Sequence, residues 1–165
     1  MKNTIKYLIL LIIYLVCGVN LQAQNYTFRN VVMSDGLSGL LVNAIYKDSE
    51  GFVWLGTDNC LDRFDGVKVR HYEFRGVDSG RKKRVNCITE TADNQLWVGN
   101  GIGLWRLNRA NGQLERIVPE KIDFAVNTLL PDGDILYIGT EKGLFIQKDG
   151  QLLQVFDRPE YAGCL

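Results

Sequence analysis

The chain has 165 residues, of which 46% are hydrophobic and 23% charged, and this composition is typical of a globular domain rather than a disordered segment. Nineteen basic and nineteen acidic side chains give no net charge, which argues against a protein that binds nucleic acid. Seventeen glycines against three prolines indicate many tight turns and little linker.

The N-terminal segment has the order of a secretory signal peptide. Lys2 and Lys6 precede an apolar run over residues 7–17, and a more polar stretch ends at Ala23. The apolar run is shorter than the ~20 residues that span a membrane. We therefore predict a signal peptide over residues 1–23, with an uncleaved anchor as the alternative. The mature chain then carries 17 basic and 19 acidic side chains.

A sequence repeat follows an N-terminal strand and lead-in at residues 24–41. Val-Asn pairs begin at positions 42, 85 and 126, which lie 43 and then 41 residues apart. Each unit also has a glycine, an aromatic residue two positions before it and a leucine five positions after it. The three sets are Trp54, Gly56 and Leu61; Trp97, Gly99 and Leu104; and Tyr137, Gly139 and Leu144. Such agreement at one period indicates tandem structural units.

Each unit reads as four short strands. In the first unit they are "VNAIYKD", "FVWLGT", "CLDRFD" and "VKVRHYEF", rich in β-branched and aromatic residues and separated by Gly, Asp and Asn. Four strands in about 40 residues is the pattern of a β-propeller blade. We predict an all-β fold of three four-stranded antiparallel units, an incomplete propeller. The blades cover residues 42–82, 83–123 and 124–165, the last with the start of a truncated continuation.

The second strand of a blade is expected to be sandwiched between neighbouring blades. Phe52 and Trp54 would face one neighbour, and Val53 and Leu55 the other. The glycines that end these strands would allow close backbone approach or a bulge.

A corner follows the second strand in each of the three units. Gly103 and Gly143 would supply a positive φ there. Cys60 stands at the same place in the first unit, so we expect a strained or altered turn.

The first unit closely resembles the two-component regulator propeller repeat. The matching pieces are "DGLSG" at residues 35–39, "VNAIYKDSEGFVWLGT" at 42–57 and "RFDG" at 63–66, and the later units match through "LWVGNGIGLWRL" and "LYIGTEKGLF". The resemblance implies the periplasmic sensor region of a hybrid two-component system of Bacteroidetes. Many such regions sense oligosaccharides released from glycans and control utilisation genes. The parent would be a homodimer anchored in the inner membrane.

Three units are fewer than the four to eight blades of a closed propeller. We therefore expect an N-terminal fragment whose partners are missing blades and a downstream histidine kinase, and whose two outer faces are apolar and exposed. The chain itself would not be an enzyme. The alternatives are a secreted propeller enzyme acting on glycans, related to lyases or sialidases, and a non-catalytic interaction propeller.

Strand order places the corners at residues 57–59, 100–102 and 140–142 at one end of the blades, with the loop 75–84. This end would surround the central channel, so its polar side chains are candidates for binding a sugar or another small ligand. The candidates are Asp58, Asn59, Asn100, Glu141 and Arg81. Solvated loop residues are the simpler interpretation, also for the basic run 81–84.

Catalytic and metal-binding residues are not expected. The acids of the stretch 48–65 suggest paired carboxylates of a glycosidase, but Asp65-Gly66 recurs as Asp149-Gly150, which indicates turns. His71, the only histidine, has no second histidine and no obvious serine or cysteine partner for a triad.

The cysteines lead to the same expectation. Cys60, Cys87 and Cys164 are odd in number and widely spaced, so we expect free thiols, neither a disulfide framework nor a zinc site, and no cofactor.

Overall fold

The structure is a computed structural model, and it describes residues 4–7, 30, 32–77, 83–117 and 122–156. The chain divides into two units, Met1–Asn30 and Val31–Leu165. In the first unit, residues 4–7 form a helical turn. The predicted signal peptide otherwise lies outside the described residues, as do Cys17 and Cys164. No helix in the described part of the chain is long and apolar enough to cross a membrane.

The second unit consists of three separate four-stranded antiparallel sheets after a 3-10 helix, η1 (Met33–Asp35). Sheet 1 has β1 (Val42–Lys47), β2 (Val53–Thr57), β3 (Leu61–Phe64) and β4 (Val69–Tyr72). Sheet 2 has β5 (Val85–Glu90), β6 (Leu96–Asn100), β7 (Gly103–Asn108) and β8 (Gln113–Ile117). Sheet 3 has β9 (Val126–Asp132), β10 (Ile135–Thr140), β11 (Gly143–Lys148) and β12 (Gln151–Phe156). Strands in each sheet follow chain order, and none of the sheets closes on itself. The predicted fold class is confirmed, whereas the exact blade boundaries stay a prediction.

Each Val-Asn pair marks a β-bulge at the start of the first strand of its sheet. Val42 pairs with Thr57 and Ala44 pairs with Gly56, so Asn43 is the extra residue of β1. The same irregularity leaves Asn86 extra in β5 and Asn127 extra in β9. A bulge re-aims the side chain of the extra residue and ends regular pairing. The repeat therefore places three asparagines at equivalent sites.

The core consists of two layers between successive sheets. Sheets 1 and 2 enclose one cluster, in which Trp54 and Trp105 are fully buried. Sheets 2 and 3 enclose the other around Trp97, Ile138 and Phe145. The first strands of successive sheets are neighbours, β1 beside β5 and β5 beside β9. This is the blade-on-blade packing expected of a propeller.

The two outer faces of this stack carry exposed apolar side chains, as expected. On sheet 1, Ile45 is 71% exposed, although the lead-in segment, residues 32–41, covers part of that face with the buried Leu37. On sheet 3, Leu130 and Leu153 lie on the corresponding outer face and are also exposed. Surfaces of this kind are typical of places where another element packs.

The corner glycines behave as expected, but Cys60 does not. Gly103 and Gly143 have φ values of +147° and +113°, a region that side chains rarely adopt. Cys60 is absent from the residues with positive φ, so its turn is altered without that strain. The Thr57 hydroxyl accepts hydrogen bonds from the backbone N–H groups of Asn59 and Cys60, which gives the corner another way to close.

Candidate functional site

The three bulge asparagines line a groove at the end of the stack where the strand corners meet. Its volume is about 630 Å³, and we call it the axial groove. Its lining residues are Asn43, Arg84, Asn86, Gly101, Ala125, Asn127 and Glu141. Each sheet contributes its asparagine from the first strand, so the groove runs across all three sheets.

The asparagine amides are held to different degrees. Asn86 donates from Nδ2 to the Val126 carbonyl oxygen at 2.8 Å, and so ties sheet 2 to sheet 3. Asn43 donates to Asp58 Oδ1 at 2.9 Å within sheet 1. For Asn127 the structure shows no side-chain hydrogen bond to the described residues, and its side chain is exposed. An amide both donates and accepts, so this side chain can bind the hydroxyl groups of a ligand from either direction.

One guanidinium and one carboxylate complete the groove. Arg84 donates from Nε to Asn86 Oδ1 at 3.2 Å, and the Arg84 carbonyl accepts from Gly101 N–H. Glu141 is fixed to Ala125, because the Glu141 N–H donates to the Ala125 carbonyl oxygen at 3.2 Å. The lining is therefore polar and carries both signs of charge. Such a surface can bind neutral hydroxyls or a carboxylate, and it contains no apolar ring among its lining residues.

The structure distributes the ligand candidates of the sequence over three environments. Glu141 lies in the axial groove. Asp58 accepts a hydrogen bond from Asn43, which lines the groove. Asn59 is exposed but donates its amide to the Ser38 carbonyl of the lead-in segment at 3.1 Å. Arg81 lies outside the described residues. The ligand-binding role of these side chains stays a prediction.

Asn100 requires a correction, because its side chain is 0% exposed. Its Oδ1 accepts hydrogen bonds from the Ile102 N–H and from Trp105 Nε1, both at 3.1 Å. The side chain therefore organises its own corner and does not face the groove. The reason is that the buried Ile102 N–H and Trp105 Nε1–H both need an acceptor, and Asn100 Oδ1 supplies it.

The bulge asparagines are what sequence reasoning missed. Their recurrence after Val42, Val85 and Val126 was visible as part of the repeat. The repeat alone does not show whether these asparagines support the fold or line a groove. Their place in the groove follows from the bulge, which turns all three side chains toward the same end.

The acids at positions 48–65 are mostly structural, in line with the turn interpretation. Asp48 is buried and accepts from Trp54 Nε1 at 2.8 Å and from the Phe52 N–H at 2.8 Å. Arg109 of sheet 2 contacts Glu50 at 2.8 Å and Glu90 at 3.0 Å. The Arg109 ion pairs thereby fasten the hairpin of sheet 1 to sheet 2.

His71 lies beside a carboxylate that the sequence interpretation did not identify. Its Nδ1 lies 2.7 Å from Asp62 Oδ1, and Cys60 Sγ lies 3.5 Å from the same oxygen. The Ser38 hydroxyl and N–H both donate to Asp62 Oδ2, at 2.7 and 2.8 Å. The antiparallel register of β3 and β4 places Asp62 directly opposite His71, which no local motif reveals.

A second cleft of about 330 Å³ lies at the opposite end of the stack, between the hairpins of sheets 2 and 3. Asp93, Asp134 and Asp149 line it together with Arg106 and the edge of Trp97. It belongs to two sheets only, whereas the axial groove joins all three.

Comparison with known proteins identifies the repeat. A family model described as two component regulator propeller matches residues 36–59, which include the end of the lead-in segment, β1 and β2. Residues 36–59 therefore match a two-component regulator propeller repeat. The resemblance inferred from the residues is thereby confirmed.

Two solved structures from B. thetaiotaomicron are similar to this chain. The extracellular domain of the hybrid two component system BT3049 has a TM-score of 0.65 at 21% identity, covering 77% of this chain and 20% of that one. At that identity the likeness shows the fold alone. The extracellular domain of BT4673 is 30% identical with a TM-score of 0.57, covering 68% of this chain and 16% of that one.

A curated relative of the propeller region is histidine kinase P4 of Formosa agariphila. It is 32% identical over 79 residues, which cover 48% of this chain and 6% of the relative. The chain thus spans a small part of the proteins it matches. The printed names of these relatives are a histidine kinase and the extracellular domains of two component systems.

Proposed function

We propose that this chain forms part of the periplasmic sensing propeller of a hybrid two-component regulator and that the axial groove binds a glycan-derived oligosaccharide. The observation that carries the proposal is the set of equivalent asparagines, one from each sheet, around one polar groove. Ligand sites are concave and use a few convergent polar groups to fix the orientation of the ligand, and here those groups come from all three sheets.

The chemistry of the groove favours a hydroxyl-rich ligand. Three amides provide donors and acceptors, Arg84 provides donors only, and Glu141 provides acceptors only. Hydroxyl groups of a saccharide can satisfy all three kinds. A uronic acid or another acidic sugar would in addition pair with the Arg84 guanidinium.

The proposed location follows from the sensor relatives, whose solved parts are named as extracellular domains. Export would require the N-terminal segment to act as a signal peptide. Mass spectrometry of the protein recovered from a periplasmic extract is expected to show a mature chain that begins at Gln24. A chain that retains residues 1–23 would instead favour an uncleaved anchor.

Calorimetry of the purified chain against a panel of neutral and acidic oligosaccharides tests the ligand class. An oligosaccharide that binds is expected to lose affinity at least fivefold in Asn127→Ala and in Asn86→Ala, since a lost hydrogen bond costs about 1 kcal/mol or more. The matched control is Gln151→Ala, which removes an exposed amide on sheet 3 outside the groove.

The outcomes separate the alternatives. Binding that Asn127→Ala and Asn86→Ala leave unchanged would contradict the axial groove as the site. Depolymerisation of a polysaccharide by the purified chain would favour the glycan-degrading enzyme instead. Arg84→Gln separates acidic from neutral ligands, because only the affinity for an acidic ligand is expected to fall strongly.

A further inference from the structure

Three side chains with donor atoms suited to a metal ion meet on sheet 1, and none of them lines the axial groove. The donor atoms of Cys60, Asp62 and His71 all lie within 4.8 Å of one another. Cys60 precedes Asp62 by two residues, so both face the same side of the chain. Asp62 is the cross-strand partner of His71. The alternation of one strand and the register of its neighbour thus bring a thiol, a carboxylate and an imidazole together.

The cluster departs from the repeat at all three positions at once. Register places Gly103, Trp105 and Arg116 at the corresponding positions of sheet 2. In sheet 3 the corresponding residues are Gly143, Phe145 and Gln154. Neither of those sets can bind a metal. The three donor residues are therefore not part of the architecture that the sheets share. All three stand at positions that lie next to one another in the fold.

The carboxylate is the buried centre of this cluster. The Asp62 side chain is 0% exposed, and a buried carboxylate is costly unless it is paired or binds a metal. Ser38 holds Oδ2 through its hydroxyl and its N–H, and leaves Oδ1 directed at Cys60 and His71. Outer hydrogen bonds of this kind orient the carboxylates that bind metals. The 47% exposed side chain of His71 gives access from solvent.

We propose that Cys60, Asp62 and His71 form a binding site for Zn²⁺ with a water molecule as fourth ligand. Thiolate, imidazole and carboxylate together suit zinc, whereas Ca²⁺ and Mg²⁺ prefer oxygen ligands alone. Bond lengths of about 2.0–2.3 Å to zinc separate tetrahedral ligands by roughly 3.2–3.8 Å. The Nδ1 of His71 therefore moves away from Asp62 Oδ1 on binding, and the neutral imidazole carries its one proton on Nε2, so that Nδ1 is free to bind zinc. The Cys60 thiol releases its proton to solvent.

The site would fasten the lead-in segment to sheet 1. Ser38 belongs to that segment and donates two hydrogen bonds to Asp62, one of the proposed zinc ligands. Zinc would add a positive charge beside the carboxylate that Ser38 holds. This role is independent of the ligand proposed for the axial groove.

Calorimetry with ZnCl₂ under a reductant tests the site in the purified chain. The background carries Cys17→Ser, Cys87→Ser and Cys164→Ser, so that Cys60 is the only thiol. One equivalent of zinc is expected to bind. Cys60→Ser and His71→Ala are each expected to reduce the affinity at least tenfold. Co²⁺ is expected to give the absorption of a tetrahedral thiolate complex, lost in Cys60→Ser.

A folding control keeps the outcome interpretable. Circular dichroism of each variant without metal shows whether the sheets remain intact, and zinc is expected to raise the Tm of the background but not of the His71→Ala variant. Two results would overturn the site: no stoichiometric zinc binding in the folded background, or a zinc affinity in Cys60→Ser and His71→Ala that equals that of the background. The cluster would then be a hydrogen-bonded anchor for the lead-in segment only.

Discussion

Val85 of sheet 2 packs against Gly56 of sheet 1 so closely that a Cβ added to Gly56 would lie 2.7 Å from the Val85 Cβ. The same relationship recurs one sheet further on. A Cβ on Gly99 would lie 2.6 Å from Val126 Cγ1. Val85 and Val126 are fully buried, whereas Val42, at the same position of sheet 1, is 38% exposed. The repeated valine and glycine therefore form one contact between successive sheets.

Gly56→Ala is expected to destabilise the fold by about 1–3 kcal/mol, because the added methyl group has no room and the neighbouring backbone must shift. Gly56 lacks a positive φ, so the effect would report packing rather than backbone conformation. Urea unfolding followed by circular dichroism measures it.

A double-mutant cycle with Val85→Ala is the control. Val85→Ala alone is expected to cost about 2 kcal/mol. It also removes Cγ1, the atom nearest to the methyl group added at position 56, although the Cβ at 2.7 Å remains. The double variant is expected to be more stable than the sum of the single effects predicts, by at least about 0.5 kcal/mol. Additive effects would contradict direct packing of these two residues.

Trp97→Ala is expected to cost about 3–5 kcal/mol, since the ring lies in the core between sheets 2 and 3 and is 4% exposed. The variant also removes the Nε1 hydrogen bond to the Thr91 hydroxyl. Val67→Ala, at an exposed turn of sheet 1, is the control and should change the free energy of unfolding by less than about 0.5 kcal/mol. A loss below about 1 kcal/mol in Trp97→Ala would place the ring outside the core.

Arg109→Ala is expected to destabilise the contact between sheets 1 and 2 by about 1–3 kcal/mol. The guanidinium pairs with Glu50 and Glu90 and donates from Nε to the Asn94 carbonyl oxygen, so its removal leaves several acceptors without a donor. Lys148→Ala, which removes an exposed cation from sheet 3, is the comparison. Equal stability of both variants in a denaturant titration would show that the network contributes nothing measurable.

Cys87 is expected to react slowly with a disulfide reagent at pH 8 in the folded protein and rapidly in denaturant. Burial raises the pKa of this thiol to about 12, against an ordinary value of 9.0, so the nucleophilic thiolate is scarce. Because the pKa of Cys87 is higher in the folded than in the unfolded chain, its contribution to the free energy of unfolding is complete below pH 9. That contribution declines as the pH rises toward 12. The measurement uses a chain with the other three cysteines replaced by serine. Fast reaction of the folded chain would mean that Cys87 is accessible.

The purified chain is expected to self-associate through its outer faces. Ile45 on sheet 1 and Leu153 on sheet 3 are large, exposed and apolar, and contiguous surfaces of this kind promote association. Ile45→Lys with Leu153→Lys is expected to shift the sedimentation profile toward monomer. A wild-type chain that already sediments as a monomer at high concentration would contradict this prediction.

Much of the fold was predictable from local pattern. The strand alternation of residues 52–55, the aromatic at positions 54 and 97 and the corner glycines 103 and 143 each express a constraint that acts within one strand or turn. The candidate site was less predictable. Glu141 was identified as a polar corner residue and lies in the axial groove. Asn100 has the same kind of position in sequence, but its side chain turns inward to satisfy Trp105 and the Ile102 backbone.

The sequence by itself determined the all-β class, the period of the repeat and the positions of its turns, because alternation, glycine and Asp-Gly pairs act over a few residues. Only the tertiary structure decided which side chains meet. Bulges turned Asn43, Asn86 and Asn127 toward one groove, and cross-strand register set His71 against Asp62 and Cys60. These contacts depend on how strands and sheets are paired, a property that no short segment of the chain contains.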